Sequence, residues 1–323
     1  MRALVIESDH ENCGQKQPTL RHVPFVERNG ECRIRVTYAG ICGTDLELIR
    51  GYTDYTGIPG HEFVGVVEDA PNTDRHWIGK RVVGEINVSC GVCDSCISGT
   101  REHCPTRSVL GILNRDGAFA THVSLPAINL HALPDSLSDQ AAVFVEPTAA
   151  ACEILTQVEV NRNMCVAVIG DGRLGLLIGQ VLHSIGATVT QIGRHPDKLK
   201  LAKSFGLSTA LNKDTVAPKS FDLTIDATGH PDGLQCALNL ARPRGTVVMK
   251  STFHGATPVE LWPAVVDELT LIGSRCGPFE QGIEMLVKRH VKTESLLAGS
   301  YQMESFGTAF AVARTSLKVL LQP

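Results

Sequence analysis

The stretch Gly170-Asp-Gly172-Arg-Leu-Gly175 constrains this chain more than any other. It follows the apolar run Val166–Ile169 and opens the apolar segment Leu174–Ile185, which stops at Gly186. Glycines at this spacing between a strand and a helix each meet a physical need: Gly170 permits the tight turn, Gly172 lets a pyrophosphate approach the backbone, and Gly175 lets helix and strand pack closely. The helix start, with Arg173 and Leu174 in its first turn, then offers unpaired N–H groups and a favourable dipole to phosphate. Further β-branched runs at Thr188–Ile192, Phe221–Asp226 and Thr246–Met249 alternate with helical segments such as Pro196–Phe205, which ends at Gly206. Such alternation predicts a doubly wound parallel sheet with helices on both faces.

The end of the second strand speaks to the choice of dinucleotide. An NAD site usually places an acidic residue there for the ribose 2′-hydroxyl. Gly193 stands in that place, and Arg194 follows with a fixed positive charge suited to a 2′-phosphate. NADP is therefore favoured over NAD.

At 323 residues the chain suits two domains. Residues 1 to about 130 read as short strands with turn signals, as in Arg33-Ile-Arg-Val-Thr-Tyr and Phe63-Val-Gly-Val-Val, with a weak helical signal near Thr44–Ile49. Ser138–Gln157 reads as one helix, with Ser136 or Ser138 as its cap. Lys318-Val-Leu-Leu reads as a closing strand. The expected division is a mostly-β domain over 1–147 and 277–323, with the nucleotide domain over 148–276. Thirty basic against 34 acidic residues provide no field for nucleic acid or anionic membrane, and no apolar run spans a bilayer. The N-terminal strand meets charge too early for a secretory signal, so a cytoplasmic protein is expected.

Eleven cysteines in a chain with 43% hydrophobic residues point to metal binding and buried thiols rather than a disulfide framework. Cys90, Cys93, Cys96 and Cys104 are spaced for a closed tetrahedral zinc site, structural because no position stays open. An iron–sulfur cluster could use similar ligands, and disulfides or free thiols are the plain alternatives. A sparser set, Cys42, His61, Glu62 and Glu146, has the residue types of a catalytic zinc, which keeps one position open. Spacing alone does not assemble it.

Taken in order, the Cys42-Gly-Thr44-Asp45 motif, Gly60-His61-Glu62, the four-cysteine lobe at about 88–106, Glu146-Pro, the glycine fingerprint and Ile272-Gly-Ser-Arg275 resemble the medium-chain dehydrogenase/reductase family over essentially the whole chain. The pattern of Glu62 and Glu146 is more similar to the polyol, glucose and threonine dehydrogenase branch than to the two-cysteine alcohol dehydrogenases. The resemblance implies an α/β fold, with a GroES-like catalytic domain beside a Rossmann domain. It implies two zinc ions per chain and hydride transfer between an alcohol (secondary, polyol or sugar-like) and NADP(H) or NAD(H). Cys42 and His61 then look like zinc ligands, with Glu62 or Glu146 as the carboxylate. Asp45 resembles the acid that orients the ligating histidine, and Thr44 the hydroxyl that takes the substrate proton. Many relatives continue the relay with a histidine five residues after the ligand cysteine; here that position is Glu47. Arg275 and Lys318 fall where the family often contacts cofactor or substrate. Relatives form homodimers or homotetramers by joining sheet edges, and Trp262–Gly273 is compatible with such an edge. Tyr52, Tyr55, Phe119 and Phe253 are candidates to line the substrate cleft. Two alternatives stand beside this reading: a zinc-independent enone or quinone reductase of the same fold, and a nucleotide-binding redox sensor using the four-cysteine lobe.

Overall fold

The structure is a computed structural model and describes residues 1–7, 17–51, 54–252 and 258–323. Two compact units are present: Met1–Glu146 with Leu297–Pro323, and Pro147–Leu296.

The first unit is built on the long strand Glu31–Gly40, whose alternating residues Cys32, Ile34 and Val36 are buried. It lies inside a seven-stranded mixed sheet. Leu297–Gln302, Lys318–Gln322, Glu31–Gly40, Glu62–Asp69, Arg81–Gly84 and Leu130–Ala132 follow in order, and His122–Pro126 also pairs with Glu31–Gly40. The closing strand Lys318–Gln322 pairs antiparallel with Glu31–Gly40, setting Leu320 opposite Gly40. Lys318–Gln322 thus joins Leu297–Gln302 to a sheet otherwise built from strands within residues 31–132. The cysteine lobe is a loop with the one-turn helix Asp94–Ile97, and it bends at Gly91 and Gly99, whose φ values of +77° and +86° favour glycine.

In the second unit six strands run parallel. The order is Ser208–Leu211, Thr188–Gly193, Cys165–Ile169, Phe221–Asp226, Ala241–Met249 and Thr270–Gly273. This is the doubly wound arrangement, with its switch point beside the first strand of the unit, Cys165–Ile169. Helix Arg173–Ser184 buries Leu176, Leu177, Val181 and Leu182.

The division at the C-terminal side lies at Leu297, not at 277. Helix Phe279–Val287 and the turn after it are tied into the second unit: Gln180 exchanges hydrogen bonds with the backbone of Lys292, and Ser184 Oγ donates to Met285 Sδ at 3.7 Å. The helix expected over 138–157 is also interrupted. Ser138 Oγ accepts the Ala141 N–H and caps a short helix Asp139–Ala142, and the longer helix Val145–Gln157 restarts beyond it. Pro147 explains the break, since proline has no N–H to give Val143 and its ring would meet that carbonyl within a helix; it is tolerated in a first turn.

Candidate functional site

The catalytic candidates gather at the starts of two elements of the first unit. Cys42 sits at the N-terminus of helix Gly43–Ile49, His61 precedes strand Glu62–Asp69, and Glu62 opens it. One donor atom each from Cys42, His61 and Glu62 lies within 4.8 Å of the other two. A thiolate, an imidazole and a carboxylate so placed are the donor set of a zinc ion with one position open.

Asp45 holds this group together. Wholly buried, it accepts the Cys42 N–H at 2.7 Å through Oδ2 and the Gly60 N–H at 3.2 Å through Oδ1. Oδ1 also lies 3.3 Å from His61 Nδ1, a buried nitrogen with no aligned hydrogen-bond partner. One carboxylate therefore ties the backbones beside two candidate ligands and faces one imidazole nitrogen, leaving Nε2 for a metal. Burial alone would push His61 down, yet Asp45 and Cys42 hold it well above its ordinary range. The pocket favours positive charge. Gly60 is needed at φ +98°, where a Cβ would meet the Phe119 ring at 2.6 Å. Thr44 Oγ1 lies 3.9 Å from Cys42 Sγ.

Lys318 forms a buried ion pair with Glu62 Oε2, with Nζ 5.6 Å from the centre of the Phe144 ring. The two side chains are 1% and 2% exposed. Gly40 makes room for them: a Cβ there would lie 2.6 Å from Glu62 Oε2 and 2.7 Å from Val143 Cγ1. Nothing in the local sequence could show that a residue near the C-terminus neutralises Glu62.

Glu146 lies in the first turn of helix Val145–Gln157 and is not part of the Cys42–His61–Glu62 group. Glu47 is held by Arg50 at 2.6 Å on the partly exposed side of its helix. Tyr55 and Phe119 serve packing: the Tyr55 hydroxyl donates to the Ile58 carbonyl at 2.7 Å, and Phe119 stacks edge-on against Phe310. Tyr52 and Phe253 lie outside the described residues.

Cys90, Cys93, Cys96 and Cys104 converge as a second donor group. Cys93 Sγ is 3.4 Å and Cys90 Sγ 3.9 Å from Cys96 Sγ. The Thr106 hydroxyl and the Cys90 N–H lower the Cys104 thiol to about 6, whereas at Cys93 the pull of the Cys96 N–H is outweighed by burial and the surrounding thiols, which push that thiol up to about 11. The ten described cysteines form no disulfide among themselves.

In the second unit a cavity of about 510 Å³ opens at the switch point, lined by Gly170, Asp171, Gly172, Gly193, Arg194 and Lys198 among others. Gly170 turns at φ +116°, where a Cβ would lie 2.5 Å from the Ala227 carbonyl oxygen. Gly172 begins helix Arg173–Ser184 with no side-chain cap, and a Cβ there would meet nothing within 4 Å. The open space and unclaimed helix amides fit a pyrophosphate. Arg173, Leu174, Gly175 and Arg275 are not among the residues lining this cavity, and Arg275 follows strand Thr270–Gly273.

Comparison with known proteins agrees with this geometry. The alcohol dehydrogenase GroES-like domain model matches residues 28–135, and the zinc-binding dehydrogenase model matches 174–289. The starvation-sensing protein RspB of Escherichia coli K12 is 31% identical, covering 97% of this chain and 95% of its own. A sorbitol dehydrogenase of Halalkalibacterium halodurans is 29% identical over 91% of this chain and 92% of its own. A crystal structure of an Escherichia coli CFT073 alcohol dehydrogenase (rspB) complexed with NADH superposes with a TM-score of 0.89 at 29% identity, covering 100% of this chain and 99% of that one. The chain belongs to the zinc-dependent, alcohol dehydrogenase-like family of medium-chain dehydrogenases and reductases, and it is an oxidoreductase that moves a hydride between an alcohol and a nicotinamide cofactor. The zinc-free reductase and redox-sensor alternatives give way to that reading.

Proposed function

We propose that Cys42, His61 and Glu62 hold a catalytic zinc ion, and that Cys90, Cys93, Cys96 and Cys104 hold a structural one. The observation that carries the catalytic assignment is the convergence of three different donors within 4.8 Å, braced by a buried Asp45. When bound, zinc supplies a Lewis acid that makes an alcohol oxygen acidic near neutral pH. The chain's residues do the rest. Asp45 keeps the proton on His61 Nδ1. Thr44 Oγ1 takes the alcohol proton, and Glu47 stands where the relay would continue. Lys318 neutralises Glu62, and Glu146 is the second carboxylate of the site. The amides after Gly172 hold the pyrophosphate.

The substrate class we infer is a secondary alcohol, polyol or sugar alcohol, supported by relatives named for such substrates. NADP is the favoured dinucleotide, supported by Gly193 and by the Arg194 and Lys198 cations at the cavity. A panel of secondary alcohols, polyols, sugars and amino-alcohols, run with NADP and NAD in parallel, tests both. The expected result is turnover of a polyol-like compound with at least about tenfold higher kcat/KM for NADP, the effect of one charged hydrogen-bonded contact. A clear NAD preference would remove the role given to Arg194.

A homodimer or homotetramer is the proposed assembly. Edge strand Thr270–Gly273 is flanked by exposed Trp262, Val265 and Val266, an apolar group suited to a second copy of the chain. We place the enzyme in the cytoplasm, where a four-thiolate site keeps its cysteines reduced. No described helix is long and apolar enough to cross a membrane. Native mass spectrometry should find two zinc ions per chain in a dimer or tetramer. Cys104→Ser should lose one ion and several kcal/mol of stability. A single zinc in the unaltered protein would refute the two-site assignment.

A further inference from the structure

In NAD-type sites the strand corresponding to Thr188–Gly193 ends on an acid for the ribose 2′-hydroxyl. Here that residue is Gly193, and another part of the chain fills the space its side chain would take. A Cβ on Gly193 would lie 2.6 Å from Asp171 Cβ and Cγ and nearer still to Oδ2. Gly193 has no positive φ, so backbone freedom does not explain the glycine. Space does.

A carboxylate therefore stands at the end of this strand after all, but it arrives from the loop between Gly170 and Gly172, and its oxygens are occupied. Asp171 Oδ2 accepts the Arg194 N–H at 2.8 Å and the His195 N–H at 2.7 Å. His195 Nδ1 lies 3.0 Å from Oδ1 and 3.1 Å from Oδ2. Burial by itself would raise the Asp171 carboxyl, but the His195 imidazole and the two amides hold it below its ordinary range. Its lone pairs are largely used, so little capacity remains for a ribose diol. The exposed Arg194 side chain, by contrast, has no hydrogen bond or ion pair among the described residues.

We propose that Asp171 is a positioning residue that sets dinucleotide choice: it fills the place of the NAD-type acid and, by holding the Arg194 and His195 amides and the imidazole, fixes the turn that presents Arg194 to a 2′-phosphate. The proposal rests on the NADP reading above and names the side chain that enforces it.

The test measures binding of adenosine 2′,5′-bisphosphate and of 5′-AMP to the zinc-loaded protein by calorimetry, which isolates the 2′-phosphate from catalysis. The unaltered protein should prefer the bisphosphate by about tenfold or more. Asp171→Ala should lose most of that preference, weakening the bisphosphate clearly more than 5′-AMP. Asp171→Asn should keep most of it, because its carbonyl oxygen can still accept both amides. Gly193→Ala, which displaces the carboxylate without altering it, should repeat the loss seen in Asp171→Ala and keeps the test alive if that variant does not fold. Equal weakening of both ligands in Asp171→Ala and Gly193→Ala would overturn the proposal and leave Asp171 a merely structural residue. No preference in the unaltered protein would overturn the NADP reading itself.

Discussion

Cys42→Ser is expected to lower turnover at least about a thousandfold, since charge stabilisation worth several kcal/mol leaves with the thiolate. Dinucleotide affinity should change far less than turnover, because the turn that holds the pyrophosphate is built by other residues. Cys42 lies in the Met1–Glu146 unit, whereas the fingerprint cavity belongs to Pro147–Leu296. Serine is nearly the same size but offers a hydroxyl that is poorly ionised at neutral pH, so the change tests ligation more than packing. Zinc content should fall by one ion, with the lobe's ion retained. Steady-state kinetics, cofactor titration and metal analysis on one preparation decide the matter. Joint loss of turnover and dinucleotide binding would show that Cys42 acts in folding instead.

The second large effect concerns stability. Lys318→Met should destabilise the zinc-free protein by about 3–5 kcal/mol, because without the metal it leaves the Glu62 carboxylate buried and unpaired. The pair is almost wholly removed from water, and methionine approximately keeps the volume beside Phe144. In the same zinc-free protein, adding Glu62→Gln should recover most of the loss, since a neutral amide no longer needs the ammonium. Chemical denaturation of the single and double variants gives the coupling. If Lys318→Met alone unfolds at the denaturant concentration of the unaltered protein, the ion pair contributes nothing and Lys318 has another role.

Much of this molecule is legible from short-range pattern. The βα alternation after Cys165 predicts the parallel sheet because strand and helix periods are local properties, and turn glycines such as Gly186 and Gly206 mark where each helix stops. The four-cysteine lobe is legible for the same reason, its cysteines all falling within one short stretch of chain. Pro147 marks where local pattern fails. The composition of 138–157 is helical throughout, yet one missing N–H splits the segment in two.

Residue chemistry and spacing determined the fingerprint turn, the cysteine lobe and the types of side chain available for catalysis, because each depends on neighbours a few positions away. The tertiary structure alone decided that Glu62 lies beside Cys42 and His61, that Lys318 crosses the chain to neutralise it, and that Asp171 fills the space beside Gly193. These pairings join residues 256 and 22 positions apart in the chain. Their partners are chosen by the register of strands and the space left between them, and no local pattern encodes either.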